Sequence, residues 1–129
     1  MSRIVDVLKM KIDLLCGSGV PEESIISAEK QLGVSFAADY REYLKDCGVA
    51  AYDGHELTGI TRIDRVNVVN ITLEEKEKNG CVSKEMYVVE QTHYNGIVIW
   101  QDSTGTIYQT TRDSEPLKIY DSLTDYIDK

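Results

Sequence analysis

Long apolar runs are missing from this 129-residue sequence, and none approaches the roughly 20 residues a membrane-spanning helix needs. Histidine occurs only twice, at His55 and His93. Neither has a second imidazole or a cysteine at metal-ligand spacing, so a zinc centre would have to recruit distant carboxylates. The three cysteines, Cys16, Cys47 and Cys81, are odd in number, far apart and without a C-x-x-C pair. That pattern argues against a disulfide framework and a zinc site alike. Cys16 and Cys47 fall on the apolar faces of predicted helices, where a thiol serves as a small buried hydrophobe, and Cys81 falls in a loop.

Positive charge is also scarce. Fourteen Lys and Arg stand against 22 Asp and Glu, a formal net charge of −8. Such a balance disfavours nucleic acid and anionic membrane as direct partners and suits a basic protein. No nucleophile elbow, phosphate loop or dinucleotide fingerprint occurs, and the glycines between Gly54 and Gly59 read as turn residues. Carboxylate pairs such as Asp53 with Glu56, or Glu90 with Asp102, are what an acidic surface supplies without catalysis. Neither a cofactor nor a metal is expected. The amino terminus lacks the apolar segment and cleavage site of a secretory signal, which predicts a cytoplasmic protein.

What is present describes an ordinary globular chain, 42% apolar and 28% charged, read as one domain over residues 1–129. Ile4, Leu8, Ile12 and Leu15 form a helical stripe over residues 3–16, closed by Gly17-Ser18-Gly19. A second helix starts near Pro21, carries Glu22 and Glu23 in its first turn and stops at Gly33. A third places Phe36, Tyr40, Tyr43, Leu44 and Cys47 on one face and ends at Gly48. Residues 50–59 read as a loop entering a short strand at residues 56–60, and Asn67 is the expected N-cap of a helix over residues 67–79.

From Met86 the period becomes extended. Runs at residues 86–91, 97–102 and 106–111 are separated by turns at Tyr94-Asn95-Gly96 and Ser103-Thr104-Gly105. Ile97-Val98-Ile99-Trp100 does not alternate, so this strand is expected to be buried on both faces. Ser122-Leu123-Thr124-Asp125 has the form of a capping box opening a last short helix. The expected fold is therefore α+β: N-terminal helices against an antiparallel meander of about four strands, with one inserted helix and a short closing one.

Glu29 stands one turn before Gly33 and is expected to accept hydrogen bonds from N–H groups at the start of helix three. The eight tyrosines contrast with one Phe and one Trp. Tyr40, Tyr43 and Tyr126 read as core; Tyr52, Tyr87, Tyr94 and Tyr108 are freer to face a partner.

The segment Ile25, Ala28-Glu29, Leu32-Gly33-Val34, Phe36, Asp39 through Leu44 and Cys47-Gly48, followed by Gly54-His55-Glu56-Leu57-Thr58-Gly59-Ile60, resembles the SUKH superfamily. That superfamily includes Smi-one/Knr-four-type cell-wall regulators and bacterial immunity proteins. Glu29, Gly33, Asp39, Tyr40 and Gly48 match the family's hallmark positions, Gly59 falls in its short glycine-bearing segment, and with Trp100 they read as architecture. Ala37 replaces the family's usual proline, and Cys47-Gly48-Val49 replaces an Asn-Gly or Gly-Gly pair. The resemblance implies a non-enzymatic protein-binding module. The immunity type binds and neutralises a cognate toxin, often a nuclease; the regulatory type acts in cell-wall synthesis or signalling. A small hydrolase with a convergent site is the third reading. Charge and expected exposure nominate Asp53, His55, Glu56, Glu90 and Asp102, with Tyr52 and Tyr94, as partner-binding residues.

Overall fold

A computed structural model describes residues 3–112 and 114–128. Helix α1 (Arg3–Lys9) is followed by strand β1 (Leu15–Cys16), helices α2 (Glu22–Leu32) and α3 (Ala38–Asp46), and the hairpin β2 (Ala50–Tyr52) and β3 (His55–Leu57). A 3-10 turn (Asp64–Val66) leads into α4 (Val68–Lys78). Strands β4 (Tyr87–Gln91), β5 (Val98–Gln101), β6 (Ile107–Thr110) and β7 (Leu117–Tyr120) follow, then α5 (Leu123–Asp128). The strands lie in the order β1-β2-β3-β4-β5-β6-β7, every neighbouring pair antiparallel. The fold is the expected α+β meander, with seven strands in place of about four.

The additional strands are β1, β2 and β7, and the strand expected at residues 56–60 is β3, paired with β2 in a hairpin. Each has two to four residues, too few to display a period. Asp53 and Gly54 both have positive φ, at 45° and 78°, as a tight two-residue hairpin turn requires. That turn converts the expected loop into paired strands. The first helix also ends earlier than its stripe predicts. Met10 and Lys11 donate to the Val7 and Leu8 carbonyls three residues back, tightening the final turn. Leu15 and Cys16 then pair with Ala51 and Ala50. Ile12 and Leu15, expected in the core, are consequently exposed.

Both cysteine readings at this point are corrected: Cys16 lies on an exposed strand, and Cys16 and Cys47 form a disulfide with Cα atoms 5.0 Å apart. The 31-residue separation concealed it, because the pairing depends on β1 returning past the C-terminal end of α3.

Two apolar layers flank the sheet. Phe36, Tyr40, Tyr43 and Leu44 of the α3 region pack with α1, α5 and the sheet residues Tyr87, Val89, Ile99 and Ile107. On the opposite face Ile71 of α4 joins Met86, Val88, Val98 and Trp100. Strand β5 is thus buried on both sides, as its unbroken apolar run predicts. Asn67 caps α4 by accepting from Val69 N and Asn70 N at 3.0 and 3.2 Å.

Polar links fix how the helices meet. Glu29 accepts from Phe36 N and from Arg41 Nη1, each at 2.8 Å, where the chain enters α3. Gly33 and Gly48 stand in left-handed conformations at the ends of α2 and α3. Tyr40 shares a hydrogen bond with Thr58 Oγ1 at 2.9 Å, and Tyr43 donates to Thr58 O at 2.6 Å, joining α3 to the segment after β3. Gly59 closes this joint: a Cβ there would overlap the Gly48 carbonyl. Glu29→Gln removes the charge from one acceptor of a backbone N–H and an arginine, and is expected to cost about 1–2 kcal/mol. A melting midpoint equal to wild type would contradict the bond's contribution.

Candidate functional site

The register places Tyr52, the Asp53-Gly54 turn and His55 at the same end of the sheet as the β4–β5 connection containing Tyr94. Asp102 begins the β5–β6 turn at the other end, where it accepts from Thr104 N at 3.0 Å and from Tyr108 Oη at 3.0 Å. The structure therefore gathers Tyr52, Asp53, His55, Glu90 and Tyr94 and leaves Asp102 apart. Tyr108's phenol is raised, first by desolvation and then by the Asp102 carboxylate.

Glu90 reaches this end through a bulge. Val88 faces Trp100, yet the next registered pair is Glu90 with Ile99, so Val89 is the inserted residue. Without that insertion strict alternation would send Glu90 to the α4 side; with it, Glu90 points to the same face as Ile99. There its carboxylate is 2% exposed, accepting from Tyr126 Oη at 2.5 Å and lying 2.8 Å from His55 Nδ1. With the carboxylate as acceptor, Nδ1 carries the hydrogen and the ring is held in one orientation. Tyr52 stacks near His55, ring centroids 5.2 Å apart, and its buried hydroxyl has no hydrogen-bond partner among the described residues. Burial raises the Tyr52 and Tyr126 phenols, and the Glu90 carboxylate raises both further.

Two of the nominated residues are thus not surface groups. Glu90 and Tyr52 are buried because the bulge turns the first inward and the unforeseen β2–β3 hairpin the second; Tyr87, ahead of the bulge, is buried in the α3-side core. Tyr94 is 67% exposed, Asp53 is exposed, and His55 and Glu56 are half-buried. Glu56 pairs with Arg65, whose hydrogen bond holds its carboxyl below the ordinary value. Asp13, which the sequence did not nominate, joins the group by accepting from Asp53 N at 3.0 and 2.9 Å.

The outer surface is recessed. His55, Thr92, Tyr94, Gln109, Lys118 and Tyr120 line a cleft of about 590 Å³. Chemically, the buried Glu90 anchors α5 and the β2–β3 hairpin to β4 and presents an oriented imidazole among tyrosine and amide groups.

A helix-flanked antiparallel meander with a polar, tyrosine-bearing sheet end defines the class as a small α+β module. A family model described as SMI1-KNR4 cell-wall, of the SUKH_5 type, matches residues 1–129. The chain belongs to this SUKH family, whose members are in general non-catalytic modules. No curated protein matches it. Among the described residues no helix is long and apolar enough to cross a membrane.

Proposed function

We propose that the chain is a cytoplasmic immunity protein that binds and neutralises a cognate toxin, a basic nuclease domain being the partner its charge suits. Family membership over residues 1–129 is the observation that carries this reading. The net charge of −8 supports it, because an acidic antidote is drawn to a basic nuclease and covers the groove that would hold nucleic acid. Asp13, Asp53, His55 and Tyr94 form the contact surface, with Glu56 beside it on the other face of β3 and Glu90 and Tyr52 holding it from behind. Asp102 belongs to a separate, opposite patch. The chain itself contacts neither nucleic acid nor membrane and needs no cofactor.

The test asks whether the open reading frame beside the chain's gene ends in a nuclease-like domain and, where it does, whether co-expression with that domain restores growth, followed by stopped-flow association. The rate constant is expected to fall as salt rises, and D53K/E56K together are expected to lower it by about tenfold or more at low ionic strength. A rate indifferent to salt removes the electrostatic element, and no rescue removes the antidote reading.

The words "cell-wall" in the family's description favour a second reading, a regulatory or scaffold module in cell-wall synthesis. It expects weaker binding to several host proteins and no rescue from a toxin.

A further inference from the structure

We propose that the Cys16–Cys47 pair, once reduced, forms with Asp46 a binding site for a thiophilic divalent cation of the zinc type. The two sulfurs and an Asp46 carboxylate oxygen lie within 4.8 Å of one another. Once the sulfur–sulfur bond is broken the sulfurs part, and a tetrahedral zinc with sulfur at about 2.3 Å holds two thiolates roughly 3.7 Å apart, within reach of side chains whose Cα atoms are 5.0 Å apart. Asp46 already approaches the pair, its Oδ2 lying 3.7 Å from Cys47 Sγ.

The juxtaposition does not depend on the sulfur–sulfur bond. Cys16 is paired with Ala50, Gly17 N donates to Val49 O at 2.9 Å, and Val20 N donates to Leu44 O at 3.0 Å. The segment after β1 runs directly against the C-terminal end of α3. At Gly17 a Cβ would overlap the Cys47 carbonyl, and at Gly19, with φ of +80°, one would overlap the Lys45 carbonyl. Backbone packing that admits no side chain at these positions holds both cysteines in place after reduction. The dithiol is therefore preorganised, which removes much of the ordering cost of metal capture.

The site is also open on one side. Cys47 is buried, while Cys16 and Asp46 are exposed, leaving room for water as the fourth ligand. Formation takes two steps. An external dithiol reductant supplies two electrons and two protons, yielding two thiols here and closing to its own disulfide. Zinc then bonds both sulfurs and the carboxylate, releasing the two thiol protons to solvent. The metal replaces the disulfide as the link between β1 and α3, so the edge strand stays tethered in a reducing compartment.

Cobalt(II) is the probe, in a Cys81→Ser background so that this exposed loop thiol does not contribute. Reduced protein should take up one equivalent with a sulfur-to-cobalt charge-transfer band, displaced by zinc, while the oxidised protein shows none. Cys16→Ser and Cys47→Ser should each abolish the band. Asp46→Asn, an exposed change that leaves the sulfurs in place, should keep the band and weaken binding at least about tenfold, as loss of one of three protein ligands implies. The proposal is overturned by a reduced protein without the band, by a band that survives Cys16→Ser, or by Asp46→Asn binding as tightly as the parent. Circular dichroism of each variant separates loss of ligand from loss of fold, and Asp46→Asn decides the matter if the cysteine variants unfold.

Discussion

Asp39→Ala is expected to lower the unfolding free energy by about 2–4 kcal/mol, the cost of stranding several buried or half-buried donors at once. The Asp39 carboxylate accepts from Leu123 N at 2.9 Å and Thr124 N at 3.3 Å, the first N–H groups of α5. Its second oxygen accepts from Gln101 Nε2 at 3.0 Å. Gln101 in turn accepts from Tyr87 Oη at 2.6 Å, and that same hydroxyl accepts from Ala37 N at 2.9 Å, just before α3. One carboxylate thus closes a circuit through α3, β4, β5 and α5. Helix α5 has only six residues and is too short to persist without such docking. Ser122 Oγ accepts from Asp125 N at 3.0 Å, so this side-chain cap is what remains at the start of α5 in the variant. Urea denaturation should show the loss, with a fall in melting midpoint on the order of 10 °C for a chain of this size. Asp39→Asn keeps an acceptor oxygen and should cost about half as much; a midpoint drop of under about 2 °C for Asp39→Ala would remove the circuit from the account.

Trp100→Ala is expected to cost about 3–5 kcal/mol, the range for deleting a large buried aromatic. Trp100 is fully buried between α4 and the sheet, packed with Ile71, Met86, Val88 and Val98. This second core is small, so few neighbours are available to collapse into the space. Its Nε1 donates to Thr110 Oγ1 at 2.9 Å. Trp100→Phe retains most of the apolar area and leaves Thr110 without that donor, so it should cost about 1–2 kcal/mol. Equal losses for the two variants would show that the hydrogen bond, not the packing, dominates at this position.

The helices and the β4–β6 meander could be read from residues because each carries its own signal. The Phe36 to Cys47 stripe, the Asn67 cap, the positive-φ pair at Asn95-Gly96 and the Ser122 cap all act within a few residues of themselves. Glu29 was legible for the same reason: it stands one turn before the helix end beside which it bonds. The first helix was overextended because Ile12 and Leu15 keep the period while pairing with Ala51 takes the chain elsewhere. The disulfide was illegible because it depends on that departure. Glu90 shows the same limit most sharply. Its charge and strand position suggested a surface group, but one inserted residue, Val89, turns it inward towards Tyr126. Tyr126 was read as core, and nothing in its surroundings marks it as the phenol for a carboxylate 36 residues away.

The consecutive strand order has a kinetic consequence. Pairings from β4 through β7 join chain neighbours, as does β2 with β3, so two units can form by local zipping with little loop-closure entropy. They meet where β3 registers with β4 at Leu57 and Glu90, across the inserted α4. That seam is one of two long-range contacts of the sheet, the other being β1 with β2, and the His55–Glu90 pair lies directly across it. A partner gripping this end of the molecule would clasp the two units together, and its residence time would then report on how seldom the seam opens.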